Sequence, residues 1–193
     1  GLQPGATTEV SLSGTELTSP LKIWTSFPAE VEVLPTSEGA DDATTAKLRF
    51  KLTDSVGVGV GAISVAGVTG VSQLYLVVIE DAPVIAEPSP NNTLSNAALM
   101  TLPAAVQASS SGTVADYFRF EAKAGQVISV DVLAARINSV MDPVVRLIAA
   151  NGAELAYADD SDGLGADARV QAKIPSDGQY VVEVLDSKYA GNL

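Results

Sequence analysis

The densest chemistry in the chain lies in nine residues. Asp159-Asp160-Ser161-Asp162-Gly163-Leu164-Gly165-Ala166-Asp167 gathers four carboxylates, Asp159, Asp160, Asp162 and Asp167, into one short loop. Like charges crowd together only where water or a cation screens them. Ca2+ takes about six to eight oxygen ligands from such loops. With no nitrogen or sulfur ligand among them, these residues suit Ca2+ better than zinc or copper. The spacing is not that of an EF-hand. With Gly163 at that loop's sixth position, Ala158 would stand at the first and Arg169 at the twelfth, where Asp and Glu are needed. The competing reading is a solvated hairpin loop, because Asp and Gly are common turn residues.

Other chemistries are excluded by what is missing. The chain has no histidine and no cysteine, which removes Ser-His-Asp and Cys-His arrangements, disulfides and thiolate metal sites. Paired carboxylates need no histidine, so a carboxylate-only hydrolase survives as a remote reading. Eleven basic residues against 23 acidic ones, net −12, argue against nucleic acid and anionic membrane surfaces as partners. No run approaches the roughly 18 apolar residues of a membrane span. Val56 to Val71 is apolar but broken by Gly57, Gly59, Gly61, Gly67 and Gly70. The expected class is non-enzymatic: an acidic protein whose partners are cations, other proteins or neutral polymers.

The elements that must position these residues read as strands. Glu9 to Ser13 and Ala29 to Val33 alternate strictly, and Ala46 to Leu52 places Leu48, Phe50 and Leu52 opposite Lys47, Arg49 and Lys51. Gly61 to Ala66 and Gln73 to Ile79 are further β-branched runs. Later in the chain, Asp116 to Glu121, Val127 to Leu133, Val144 to Ala149, Ala153 to Ala158, Ala168 to Ile174 and Gln179 to Leu185 complete the set. Only Leu94 to Met100 could form a helical turn or two. The fold class is all-β, in two sandwiches. Between them, Pro83, Pro88 and Pro90 make residues 81–93 a stiff connector, with domains expected at 1–80 and 94–193. Seven of the eleven basic residues follow residue 84. With no basic segment and hydrophobic stretch at its start, the chain reads as a fragment of a longer protein.

Two family resemblances sharpen this. Pro4-Gly5-Ala6-Thr7-Thr8-Glu9-Val10-Ser11-Leu12-Ser13-Gly14-Thr15-Glu16-Leu17 resembles the opening of the IPT/TIG group of immunoglobulin-like domains, which implies a spacer or interaction module without an active site. The second half resembles the bacterial pre-peptidase C-terminal domain, a jelly-roll-like sandwich appended to secreted proteases. The residues that carry this are Glu87-Pro88-Ser89-Pro90-Asn91-Asn92-Thr93, Asp116-Tyr117-Phe118-Arg119-Phe120 with Ala124-Gly125-Gln126, Leu155-Ala156-Tyr157-Ala158-Asp159-Asp160, and Asp177-Gly178-Gln179-Tyr180. That family closes with a Tyr-x-Leu strand after its last Gly-Asn, so the resemblance implies a sandwich lacking its closing strand here. Calcium-binding relatives draw ligands from the lead-in segment and from the loop before the Asp-Tyr-Phe strand. By motif position this implies Glu87, Asn91, Asn92 and Asp116, with Asn92 standing where the family has an aspartate.

Remaining candidates have plainer readings. Asp131 is expected to face solvent or pair with Arg136 or Arg146, and Asp142-Pro143 to start a turn. Trp24 and Tyr189 could stack on sugar or simply pack at an edge. Lys47, Arg49 and Lys51 read as a solvated strand face, and Asn91-Asn92-Thr93 fits a glycosylation pattern that is common by chance. Together these residues describe a non-catalytic accessory or spacer segment of an exported bacterial protein, secreted, periplasmic or on the cell surface. It would position other domains of its parent chain, with calcium stiffening the joint. The alternative is a carbohydrate- or protein-binding module, with a polysaccharide or protein ligand.

Overall fold

The computed structural model describes residues 1–18, 20–35 and 44–188. The chain folds into two units, Gly1–Val84 and Ile85–Leu193. The division falls inside the segment expected as a connector. Tyr189 and the segment after which a closing strand was expected lie outside the described residues.

Among its described residues the first unit has six strands: β1 (Thr7–Ser13), β2 (Lys22–Thr25), β3 (Ala29–Leu34), β4 (Thr45–Leu52), β5 (Gly59–Ala66) and β6 (Tyr75–Ile79). They form two antiparallel sheets, ordered β1-β4-β3 and β2-β5-β6. The alternation of β4 is realised: Leu48, Phe50 and Leu52 are buried with Leu2, Val56, Ile63 and Ile79 in one core. Each such side chain contributes about 1.5–3 kcal/mol by leaving water. Gly61 is needed for packing, because a Cβ there would lie 2.5 Å from the Phe27 ring. The opposite side of β4 carries Lys47, Arg49 and Lys51, and the last two are paired. Arg49 binds Glu9 (2.8 Å) and Glu32 (2.9 Å), and Lys51 binds Glu30 (3.1 Å). The strand β2 has no counterpart in the sequence reading, where its four residues are too short a run to signal.

The second unit begins with β7 (Val84–Ala86), which pairs with β9 (Ala105–Gln107); between them lie a single 3-10 turn at Leu94–Asn96 and β8 (Ala98–Leu99). The expected helical segment is therefore one turn, held by a reciprocal cap between Thr93 and Asn96. Among the described residues six further strands follow: β10 (Asp116–Ala122), β11 (Val127–Asp131), β12 (Pro143–Ala149), β13 (Glu154–Ala158), β14 (Arg169–Lys173) and β15 (Gly178–Asp186). The main sheet runs β13-β12-β15-β10-β8, and β11 pairs with β14. Phe118, Phe120, Val145, Leu147, Val170, Ile174, Tyr180 and Val182 fill the core. Tyr180 stacks on Phe120 at 6.1 Å, and its hydroxyl donates to the Ser176 carbonyl (2.6 Å). A buried phenol needs such a partner.

Candidate metal centre

The strands of the second unit bring some of the expected ligands together and separate others. Asp159 and Asp160 follow β13, where they meet Asp142, the residue just before β12. One carboxylate oxygen from each of the three lies within 4.8 Å of the others. Asp142 Oδ2 accepts from Ser187 Oγ (2.8 Å) and Lys188 Nζ (3.2 Å). Its Oδ1 is buried and has no hydrogen-bond partner. A buried oxygen with no donor is costly unless a cation or water meets it. That unpartnered atom, beside two further carboxylates, is the observation that fits a hard divalent cation here. The sequence reading gave Asp142 only a turn. Its distance from the acidic loop along the chain hid it, and the pairing of β12 with β13 supplies the contact.

Asp167 belongs elsewhere, which corrects its place among the ligands. Its side chain is fully buried, and its two oxygens accept the N–H groups of Ala134 (2.8 Å), Ala135 (2.7 Å) and Arg136 (3.2 Å) and the Nε of Arg136 (2.6 Å). Burial alone would raise this carboxyl, but Arg136 and the three backbone donors outweigh it and hold it below the usual range. The residue anchors the 3-10 turn Ala135–Ile137 and has no capacity left for a metal. Asp162 is exposed and stands outside the three-carboxylate group. Loop bonds from Ser161 N to Asp167 O (3.1 Å) and Leu164 N to Ser161 O (2.9 Å) form the turn. Asp131 pairs with Arg136 (2.5 Å) and Arg169, so of the two partners expected for it only Arg136 is realised. Arg146 instead faces Glu154 and Glu183 and lies over the Tyr157 ring.

The lead-in residues are brought together in part. Glu87 Oε1 accepts from Asn91 Nδ2 (3.0 Å), its Oε2 accepts from Ser109 N (3.1 Å), and Asn91 O accepts from Tyr117 N (2.7 Å). These bonds tie the start of the unit to β10. Asp116 lies against Glu87, and its carboxyl is pushed up to about 6, first by burial and then by the Glu87 charge and a hydrogen bond to it. Asn92 is exposed and accepts from Asn96 Nδ2 (2.8 Å), so it is turned to the 3-10 turn. Asn91 is buried, which leaves the glycosylation pattern without an accessible acceptor.

Comparison with known proteins bears on this unit. Residues 114–185 match the family model of the bacterial pre-peptidase C-terminal domain. A stretch of 70 residues is 41% identical to a probable subtilase-type serine protease of Deinococcus radiodurans; it is 36% of this chain and 9% of that protein. Among solved structures, the chain is similar to Bacteroides ovatus SGBP-B of a mixed-linkage glucan utilization locus, solved in complex with a mixed-linkage heptasaccharide. That likeness has a TM-score of 0.33 and 12% identity, and covers 99% of this chain and 39% of that one. Residues 114–185, which hold Asp116, Asp142 and the whole acidic loop, are a bacterial pre-peptidase C-terminal domain.

Proposed function

We propose that this chain is a non-catalytic accessory segment of an exported bacterial protein, positioning or tethering a partner domain of its parent chain. One observation carries the reading: the stretch shared with the protease is 9% of that protein's length, as expected of a module appended to a larger chain. The lack of histidine and cysteine agrees with it. In this reading the first unit is an immunoglobulin-like spacer, and the chain acts in a secreted, periplasmic or cell-surface setting. The chain alone is expected to hydrolyse neither protein nor glycoside substrates, with or without millimolar calcium. Turnover by the purified chain would overturn the proposal.

Calcium is the cofactor the geometry supports best. Asp142, Asp159 and Asp160 would hold it, and its chemistry would be structural: drawing three carboxylates together across β12, β13 and the loop that follows. Glu87 and Asp116, with Asn91 beside them, form a second and poorer group, because both Glu87 oxygens already accept from protein donors. The alternative function, a binding module, has its own support in Trp24, which is 54% exposed on the sheet β2-β5-β6.

A further inference from the structure

An asparagine modifies itself without an enzyme when the backbone nitrogen of the next residue reaches its side-chain carbonyl. Of the six asparagines in the chain, only Asn151 is followed by glycine. The other described ones precede Asn92, Thr93, Ala97 and Ser139, whose Cβ atoms hinder that approach. Three of those are also held: Asn91 is buried, Asn92 Oδ1 accepts from Asn96 Nδ2 (2.8 Å), and Asn96 Oδ1 accepts from Thr93 N (2.8 Å). Asn151 and Gly152 are both exposed, in the turn that joins β12 to β13. Bonds from Ala149 N to Ala153 O and from Gly152 N to Ala149 O, each 2.8 Å, close this turn. Gly152 has φ +83°, a conformation that side chains resist, and a Cβ built on it would meet nothing within 4 Å. The nucleophile therefore stands in open solvent.

The electrophile is prepared as well. Asn151 Oδ1 accepts from Ala153 N (3.0 Å), which turns the side chain forward along the chain toward Gly152. The same N–H stands at the oxygen that gains negative charge when a nucleophile adds to Cγ. We propose that Asn151 is a site of spontaneous deamidation, driven by the Gly152 nitrogen. Base takes the Gly152 N–H proton and the nitrogen attacks Asn151 Cγ. A new C–N bond closes a succinimide ring, the bond to Nδ2 breaks, and ammonia leaves with a proton. Water then opens the ring at either carbonyl, giving aspartate or isoaspartate, so water enters, ammonia departs and nothing is oxidised or reduced. Isoaspartate lengthens the main chain of the turn by a methylene, and either product adds a carboxylate to a chain already at −12. The bond from Gly152 N to Ala149 O restrains the nucleophile, so the reaction runs from the opened turn, and a hairpin tip opens more readily than the core of a sheet.

The test is incubation of the whole folded chain in warm, mildly alkaline buffer, with samples taken over weeks for tryptic digestion and mass spectrometry. Cleavage after Arg146 and Arg169 releases residues 147–169, in which Asn151 is the only asparagine. The mass gain of –OH in place of –NH2 in this peptide therefore belongs to Asn151, whereas isomerisation at Asp162-Gly163 in the same peptide leaves the mass unchanged. Asn151 is expected to convert about tenfold or more faster than any other described asparagine. Electron-transfer fragmentation should find both aspartate and isoaspartate at position 151, because the ring opens both ways. Gly152→Ala places a Cβ on the attacking residue and should slow the conversion by about tenfold. If that variant loses its β-type circular dichroism, Gly152→Asp, a residue type that tolerates positive φ, carries the same expectation. An Asn151 that stays intact, or converts no faster than Asn138, overturns the proposal. Equal conversion in the folded glycine variant, or aspartate as the sole product, overturns it too.

Discussion

Asp167 and Asp142 stand just before strands of the same unit, yet their surroundings differ. Asp167 is fully buried and receives three backbone N–H groups and a guanidinium. Asp142 receives Ser187 and Lys188 on one oxygen and nothing on the other, with Asp159 and Asp160 alongside. The supply of donors, more than the density of aspartates, separates a carboxylate that builds the fold from one suited to a cation.

The largest effect tests the saturated side of this contrast. Asp167→Ala leaves three backbone N–H groups and the Arg136 Nε without their acceptor, while Asp131 still pairs with the guanidinium, and should cost about 2–4 kcal/mol in urea unfolding. Asp167→Asn keeps one carbonyl oxygen for the backbone donors and should cost less. Near-neutral behaviour of Asp167→Ala would erase the distinction. Next comes the unsaturated side. A cation held only by the folded chain adds about 2.7 kcal/mol at a hundred times its dissociation constant, a rise of several degrees in melting temperature. Millimolar calcium should produce that rise and a chelator reverse it. Asp160→Ala should diminish it, whereas Asp162→Ala should not; equal loss in both would return the site to the loop as a whole.

A third carboxylate, Asp116, faces another acid instead of a donor, and pH reads that difference. Its carboxyl lies at about 6 in the folded chain against 3.8 in the unfolded one. The folded state therefore binds more protons between these values. The stabilisation is complete below pH 3.8 and lost as pH rises through 6, a loss that solvent screening reduces to about 1 kcal/mol. In calcium-free buffer, Asp116→Asn should flatten this slope and raise stability at pH 8. An unchanged slope would mean that Asp116 is not the carboxyl raised in the folded chain. The smallest effect belongs to exposed pairs: Arg49→Ala, which frees Glu9 and Glu32, should shift the urea midpoint little, and less still in high salt.

Much of the fold was legible in the sequence because period-2 alternation reports burial directly. The run Ala46 to Leu52 announced both its apolar side and its charged one, and both are present in β4. The run Asp116 to Glu121 gave β10 in the same way. Four-residue β2 was not legible, since its role comes from pairing with β5. For the candidate centre, the crowding of Asp159 and Asp160 was visible, but Asp142 was not. It joins them through the register of β12 and β13, which no local pattern encodes. Asp167 misled for the complementary reason: its donors come from Ala134 to Arg136, far along the chain, and a count of acidic residues does not see them.

The most direct test of the account is isothermal calorimetry of calcium binding to the chain beside Asp142→Asn. The substitution keeps the shape of the side chain and removes the charge that one buried oxygen leaves unanswered. The account predicts a saturable heat at millimolar or lower calcium in the unaltered chain and its loss in Asp142→Asn, with both proteins folded by circular dichroism. No heat in either, or the same heat in both, would contradict it.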